Sequence, residues 1–322
     1  MRMRLVDVAT RVVIGGGVIV VWTSVAGIVV SPSLVLAQAA MPWIIVPVVG
    51  ALAVSLRRRR WISSVFAGGV VVATVAISVP AVLAAEPPAW SRGAPEFTLF
   101  AANVFRGNAE ASEAFAAVLA VDADVVVLNE VSDELDGPLL GSGLLRRYPT
   151  VVRSANGGVI LSRLRVVRRG VEGGCPMSLP SLTISLAGRE VELIAVHTSA
   201  PTNWLARERW SQELLQVGAV GRSTAGRDVV IAGDFNATRF HGPFASLVDE
   251  GFVDAHDHVG RGLVPSWGPR GIPLFGDVGV FRLDHALSRG SLSPLRVADL
   301  PIPGSDHVGF LVTYAVRPVV SR

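Results

Sequence analysis

The first quarter of the chain contains three long stretches without a single charged residue, at residues 12–30, 34–56 and 61–85. Each is long enough to cross the roughly 30 Å hydrocarbon core of a bilayer as a helix. Three successive helices that are apolar on every side are unusual in a soluble protein. The sequence therefore predicts that residues 1–85 form a membrane anchor of three transmembrane helices.

The arginines around these runs predict the orientation of the anchor. Arg2, Arg4 and Arg11 precede the first run, residues 57–60 are four consecutive arginines, and the turn at residues 31–33 carries no charge. Because basic residues concentrate in cytoplasmic loops, both clusters are expected in the cytoplasm. We therefore expect a multi-pass plasma-membrane protein that contacts the lipid bilayer through its N-terminal helices, with the rest of the chain on the extracytoplasmic side.

A cleaved signal peptide is the alternative interpretation of the first run. The small residues at 37–39 would form its cleavage site, and the large domain would still lie outside. The Pro- and Gly-containing segment 86–96 is predicted to be a short linker, followed by a domain at residues 97–322. Cys175 is the only cysteine, so no internal disulfide is expected.

The domain alternates apolar runs of strand length with helical patterns. This alternation predicts an α/β domain of two packed sheets. Helices are expected at residues 109–121, 204–220 and 244–250, and strands at 97–104, 124–130, 157–163, 181–186, 189–197, 229–231, 282–287 and 308–315. From residue 86 onwards, the chain contains 22 arginines and 25 acidic residues. The resulting net charge of −3 does not predict that the whole domain surface binds nucleic acid, although a local basic groove is a remaining alternative.

One predicted strand is followed by Gly233, Asp234, Phe235 and Asn236. Side chains alternate along an extended chain, so Asp234 and Asn236 would point to one side and Phe235 into the core. A carboxylate and an amide at a strand end suit a hard metal ion and a phosphoryl oxygen. A simple turn is the alternative interpretation of this pattern.

Further polar residues end or interrupt other apolar runs. Each also has a plain structural interpretation: Asn103 as a hydrogen-bonded core amide, Glu130 as a solvated charge and His197 as a structural imidazole. Three other histidines have no metal-binding spacing and are predicted to be loop or surface residues; they are His241, His256 and His258. The whole candidate set comprises Asn103, Glu130, His197, Asp234, Asn236, Asp284, Asp306 and His307.

In this order and spacing, these motifs resemble the endonuclease/exonuclease/phosphatase superfamily over about residues 97–315. The resemblance rests on an Asn after the first strand, the Glu of Leu-Asn-Glu, His197, Gly-Asp-Phe-Asn, Leu-Asp-His and a closing Ser-Asp-His. It implies a four-layer α/β sandwich, in which two packed β-sheets are flanked by helices. It also implies a divalent metal in a cleft at one edge, Mg²⁺ with Mn²⁺ as the alternative.

The resemblance also implies a role for each residue. Asn103, Glu130 and Asp306 are expected at the metal, with Glu130 as the main carboxylate ligand. His197 and Asn236 are expected to contact the phosphate, and Asp234 with Asn236 to position the attacking water. His307 is expected to be the acid/base or phosphate-contacting imidazole, oriented by Asp284. A dication would offset charge in the transition state, and an imidazole bound to a carboxylate can exchange protons near neutral pH.

Some positions depart from this pattern. Phe105 and Ile194 stand where abasic-site enzymes carry an acid and a Tyr, and Asn129 stands where Gln is common, so the abasic-site substrate is disfavoured. The expected function is a membrane-anchored phosphodiesterase that acts on nucleic acid or on a lipid headgroup. The alternative is a catalytically degenerate receptor for a phosphorylated ligand. A transporter is disfavoured because the three apolar runs contain no charged residue.

Overall fold

The computed structural model describes residues 2–174, 177–269 and 279–319. Cys175 lies outside the described residues. The helices are α1 Arg2–Val25, α2 Pro32–Ala39, α3 Met41–Arg57, α4 Trp61–Val82, α5 Ala111–Val121, α6 Asp136–Gly141, α7 Leu144–Arg147, α8 Trp204–Ser223, α9 Gly242–Asp249 and α10 Ala255–His258. The strands are β1 Glu96–Asn103, β2 Val125–Asn129, β3 Thr150–Arg153, β4 Val159–Ser162, β5 Val166–Gly173, β6 Ser178–Leu186, β7 Arg189–His197, β8 Asp228–Asp234, β9 Val253–Asp254, β10 Asp284–Arg289, β11 Leu292–Pro301 and β12 Val308–Val316.

The strands form two six-stranded mixed sheets. The order in the first sheet is β11-β12-β1-β2-β4-β3, and in the second β5-β6-β7-β8-β10-β9. Each sheet contains one parallel pair at its centre, β1 with β2 and β7 with β8. Those four strands therefore bring their carboxyl ends to the edges from which ligands are reached in such folds.

Side-chain alternation divides the domain into four layers. In β1, Leu99 and Ala101 point into a core between the two sheets, where they meet Leu193 and Val230 from the second sheet. Phe100 and its neighbours on the opposite face pack against α5, α6 and α7. The outer face of the second sheet packs against α8 and α9. The predicted sandwich of two sheets flanked by helices is confirmed.

The N-terminal helices are apolar as predicted, but the second run is not a single straight helix. Two helices are long and apolar enough to cross a membrane, and a bent pair, α2 with α3, makes a third candidate span. The axes of α2 and α3 differ by 78°. The break lies at Ala40, just before Pro42, because a proline ring clashes with the preceding helical turn. The prediction of one continuous helix over residues 34–56 was therefore wrong.

The anchor packs directly on the domain. At one end of the helices, Asp7 forms ion pairs with Arg58 and Arg60. At the other end, the backbone amide of Ala85 donates to the carbonyl of His258 over 2.8 Å, and the turn after α1 touches the start of α9. The arginine cluster and the domain thus lie at opposite ends of the helices.

Three histidines outside the candidate set, His241, His256 and His258, correct one sequence interpretation. His241 and His256 are 1% and 0% exposed, and His258 is partly exposed. His241 accepts a hydrogen bond from the backbone amide of Thr238 at Nδ1, while its Nε2 lies 2.9 Å from the carbonyl oxygen of Val35. The prediction of loop or surface positions was wrong for His256, which is buried within helix α10. His241 does lie in a loop, in the bend before α9, but it is buried against segments distant in the chain.

A substitution at Gly233 tests how tightly the two central strands of the second sheet are packed. Its φ is +137°, and a Cβ there would lie 2.1 Å from the carbonyl oxygen of Val196. We expect Gly233→Ala to lower the free energy of unfolding by about 3 kcal/mol or more, because backbone atoms cannot move aside. The measurement is denaturant unfolding of the detergent-solubilised chain. Gly251→Ala is the control, since Gly251 has a φ of +92° but open space around it and should cost about 1 kcal/mol. Equal losses in the two variants would refute this account.

Candidate active site

The candidate residues gather at one edge of the sandwich. His197 and Asp284 each pair in register with Asp234, from the strands on either side of β8. In the other sheet, Asn103 pairs with Asn129, and Glu130 follows directly. Because β10 and β12 run antiparallel to the parallel pairs, they contribute their first residues to this same edge.

An open cavity of about 1380 Å³ lies at this edge. Six of the eight candidate residues line it: Glu130, His197, Asp234, Asn236, Asp306 and His307. The other two, Asn103 and Asp284, are each 1% exposed. They lie behind the cavity wall and hydrogen-bond to side chains that face it.

Glu130 is held by three hydrogen-bond donors. Its Oε1 lies 3.0 Å from Asn103 Nδ2 and 3.5 Å from His197 Nε2, and its Oε2 accepts from the backbone amide of Arg106 over 2.9 Å. Burial by itself would raise the pKa of Glu130, but these contacts outweigh it and lower the pKa to about 2. The side chain is therefore a carboxylate at neutral pH, and it remains 22% exposed to the cavity.

His307 is oriented by a buried carboxylate. Its Nδ1 donates to Asp284 Oδ2 over 2.8 Å, and its Nε2 lies 3.7 Å from Asp234 Oδ2. Burial lowers the pKa of His307, but Asp284 and Asp234 more than compensate and raise it to about 10. The imidazole is thus protonated at neutral pH. Its Nδ1–H is bonded to Asp284, and its Nε2–H lies on the side of Asp234 and the cavity.

Asp234 lies between these two groups. Its Oδ2 accepts from Asn103 Nδ2 over 3.1 Å, and its Oδ1 accepts from the backbone amide of Asn236 over 2.8 Å. Complete burial raises the pKa of Asp234, although His307 and His197 act in the opposite direction. Burial also lowers the pKa of His197, but Glu130 and Asp234 reverse that effect. The imidazoles of His307 and His197 therefore lie among carboxylates that favour their protonated forms.

The remaining predicted residues have clear partners. Asn236 donates through Nδ2 to the carbonyl of Thr198 over 2.8 Å and lies beside Asp234. Asp306 lines the cavity, and its Oδ2 accepts from Trp267 Nε1 over 3.0 Å. The eight predicted residues thus form one connected group at a single edge.

Three supporting residues were not identified from the sequence. Ser266 donates to Asp284 Oδ2 over 2.6 Å and accepts from the backbone amides of Leu283 and Asp284, so it locks the carboxylate that holds His307. Asn129 accepts from the Asp234 amide over 3.0 Å. Trp267 holds Asp306. Ser266 and Trp267 lie in an irregular segment without a periodic signal, whereas Asn129 could have been found from its position beside Glu130.

The backbone is unusual at this edge. Phe105, Glu130 and Asn236 have φ values of 63°, 61° and 44°, and none is a glycine. Such conformations cost of order 1–3 kcal/mol each and persist where surrounding contacts impose them. Here each one turns the chain sharply at a strand end, which aims the side chains of Glu130 and Asn236 into the cavity.

The donor set fits a hard divalent cation beside Glu130. Glu130 suits Mg²⁺, which keeps several waters and needs few protein carboxylates, because its side chain is ionised at neutral pH and partly exposed to the cavity. Asn103 turns its Nδ2 toward Glu130, and its Oδ1 accepts from the backbone amide of Phe105 over 3.0 Å. Asp234, Asp284 and His307 also offer ligand atoms within 4.8 Å of one another. In that group, however, protonated His307 has no lone pair free for a metal. Glu130, which Asn103 holds in place, is the better match, with Asp306 in the lining of the same cavity as a further carboxylate.

Comparison with known proteins agrees with this architecture. A sequence profile of the endonuclease/exonuclease/phosphatase family matches residues 100–307. No curated protein sequence matches the chain significantly.

Two solved structures illustrate the fold. The structure of truncated Caenorhabditis elegans TDP2 is 18% identical, covers 69% of this chain and 98% of its own, and has a TM-score of 0.54. A Staphylococcus aureus beta toxin variant with bound magnesium ions is 15% identical, covers 69% of this chain and 100% of its own, and has a TM-score of 0.50. At these identities the likeness concerns the fold alone.

Asp284→Asn tests the orientation of His307. The substitution preserves shape but removes the charge that holds the imidazole, so we expect kcat for bis-p-nitrophenyl phosphate hydrolysis to fall roughly 10³-fold. The exposed residue Asp249 provides the matched control, and Asp249→Asn should retain normal kcat. An unchanged kcat in folded Asp284→Asn would contradict the orientation assigned to this pair.

Proposed function

Because the chain belongs to the endonuclease/exonuclease/phosphatase family, whose members are phosphoester hydrolases, we propose that it is a membrane-anchored, outward-facing, divalent-metal-dependent phosphodiesterase. Its substrate is a phosphodiester of nucleic acid or of a lipid headgroup. One observation carries this proposal: an ionised Glu130, a buried Asp234 and an Asp284-bound His307 surround a single cavity.

These residues suit hydrolysis of an anionic diester. A water oxygen forms a bond to phosphorus, the P–O bond to the leaving alcohol breaks, and the products are a phosphomonoester and an alcohol. Asp234 and Asn236 are placed to orient the water, since both present polar groups to the cavity at the same strand end. Protonated His307 is placed to neutralise the phosphate oxygens and can donate a proton, and His197 lines the same cavity and is placed to contact the phosphate.

A divalent cation would be held by Glu130, which Asn103 positions, with Asp306 as a further oxygen donor. When bound, it would supply Lewis-acid stabilisation of charge on the phosphoryl oxygens. The beta toxin variant was solved with bound magnesium ions, and a Danio rerio TDP2 structure with 19% identity and a TM-score of 0.55 contains a single-stranded DNA product. These two structures share the fold of this chain and are the reason to test magnesium and DNA with it.

The charges of the anchor support an extracytoplasmic domain. The arginines that pair with Asp7 lie at the end of the helices opposite the domain. Trp22 and Trp43 are exposed near the domain-side ends of α1 and α3, and Trp61 is exposed at the start of α4. Exposed tryptophans near helix ends are typical of the two membrane–water interfaces.

Glu130→Gln tests metal binding. The neutral amide keeps the shape of the side chain but loses its charge, so we expect Mg²⁺ affinity measured by calorimetry to fall roughly 10- to 100-fold. Hydrolysis of bis-p-nitrophenyl phosphate by the wild-type chain should require Mg²⁺ and stop in EDTA. The control is Glu134→Gln, because Glu134 is exposed and lies four residues further along the chain. Hydrolysis that persists in EDTA would refute the metal-dependent mechanism.

The orientation of the domain predicts the behaviour of fusions at the C-terminus. In a bacterial host, alkaline phosphatase attached after Arg322 should be active, because that enzyme matures only outside the cytoplasm. Green fluorescent protein fused at the same position should not fluoresce, because it does not fold correctly when the general secretion pathway exports it unfolded. The opposite pair of results would place the domain in the cytoplasm.

A further inference from the structure

One wall of the cavity comes from the anchor rather than from the catalytic domain. Pro32, Val35, Leu36 and Ala39 of α2 line the same cavity as Glu130. Three of these four side chains are branched or cyclic hydrocarbons, and the fourth is a methyl group. The cavity therefore has a polar floor with carboxylates and imidazoles, and an apolar side that continues into the anchor helices.

The position of α2 is held by contacts with the domain. Val35 belongs to the same buried cluster as Phe235 and Phe244, and its carbonyl oxygen lies 2.9 Å from Nε2 of buried His241. In the turn before α2, Gly27 packs closely against Gly242 of the domain. A Cβ added to Gly242 would lie 2.2 Å from the Cα of Gly27. The apolar wall is thus a fixed part of the site.

The geometry of the anchor places this wall at the level of lipid headgroups. The axis of α2 lies 78° from that of α3, so α2 runs nearly parallel to the membrane surface when α3 spans the bilayer. It also connects the outer ends of two proposed spans, which is the depth of an interfacial helix. Leu36 is 59% exposed there while it faces the cavity.

A second exposed apolar pair lies next to the cavity. Trp204 and Leu205, at the start of α8, are 65% and 74% exposed. They directly follow the loop at residues 199–202, which lines the cavity. Single exposed apolar residues are ordinary in a soluble domain. A Trp-Leu pair that lies close in sequence to a cavity-lining loop, in a cavity also lined by the apolar side chains of α2, is suited to contact lipid.

We propose that α2 is the acyl-facing wall of the active site and that the substrate is a phosphodiester lipid taken from the surrounding bilayer. This inference rests on the proposed phosphodiesterase function and specifies its substrate class. The phosphodiester lies at Glu130 and His307, and the glycerol or ceramide end lies along Val35 and Leu36. Water attacks phosphorus and one P–O ester bond breaks, which releases an alcohol and a phosphomonoester.

The observations favour lipid over nucleic acid. A nucleic-acid strand would place a charged backbone against the hydrocarbon side chains of α2, and among the α2 side chains that line the cavity only Ser33 is polar, too little to replace the lost hydration of that backbone. The domain also carries a net charge of −3, which weakens nonspecific attraction for a polyanion. A lipid matches both halves of the cavity, since its phosphate is polar and its chains are apolar.

The test uses the full chain reconstituted with Mg²⁺ in vesicles of phosphatidylcholine and phosphatidylglycerol. Two rates are measured on the same preparation: release of phosphorylated or free headgroup from the vesicle lipids, by mass spectrometry, and hydrolysis of soluble bis-p-nitrophenyl phosphate. Leu36→Gln should lower the ratio of lipid to soluble hydrolysis about tenfold, because an apolar contact with the substrate is lost. Leu36→Met should restore the ratio, since it returns an apolar side chain of similar volume.

Val30→Gln is the matched control, because Val30 is 61% exposed in the turn before α2 and should leave both rates unchanged. An unaltered ratio in Leu36→Gln would overturn the assignment of α2 as the acyl-facing wall while the phosphodiesterase function stands. Faster cleavage of single-stranded DNA than of vesicle lipid would overturn the lipid substrate in the same way. Hydrolysis of none of these substrates would refute the proposed function and the inference together.

Discussion

The face-to-face packing of two mixed sheets is the constraint on which the rest of this structure depends. Each sheet has a parallel pair at its centre, and the apolar core between the sheets holds both pairs with their carboxyl ends at one edge. Four of the eight candidate residues lie at or just after those strand ends, and the others come from the start of antiparallel neighbours or from the turn after β8. A slip of one residue in β8 would turn Asp234 away from the cavity, because alternate side chains point to opposite faces. The clash that a Cβ at Gly233 would create shows how little freedom that strand has.

The site concentrates charge in a buried environment, and its stability depends on pairing. Glu130, Asp234 and Asp284 lie close to two imidazoles, each of which is flanked by a pair of carboxylates. An isolated buried charge would cost several kcal/mol, so these groups are tolerable only as a hydrogen-bonded set. Ser266 and Asn129 complete the set by fixing Asp284 and the backbone of Asp234. The same arrangement suits an anionic phosphate, since protonated His307, His197 and the carboxylate of Glu130 all line one cavity.

The N-terminal helices pack on the domain as well as preceding it in the chain. The domain contacts them at the turn after α1, at α2 and at the end of α4, so the two parts share buried residues. This packing brings the apolar side chains of α2 to the cavity. The second apolar run breaks between α2, which lines the cavity, and α3, whose axis lies 78° away.

Sequence alone determined the apolar N-terminal helices, the strand-helix alternation and the choice of the eight candidate residues, because each depends on local pattern. Uncharged runs, strand-end carboxylates and the Gly-Asp-Phe-Asn motif can be recognised without knowing what lies next to them. Strands such as β5 and β11 were missed, since their exposed polar faces weaken the alternating signal. Only the tertiary structure decided the burial of His241 and His256, the bend before Pro42, the roles of Ser266 and Trp267, and the place of α2 in the cavity wall. Each of these depends on contacts between segments far apart in the chain, and such contacts leave no periodic trace in the sequence.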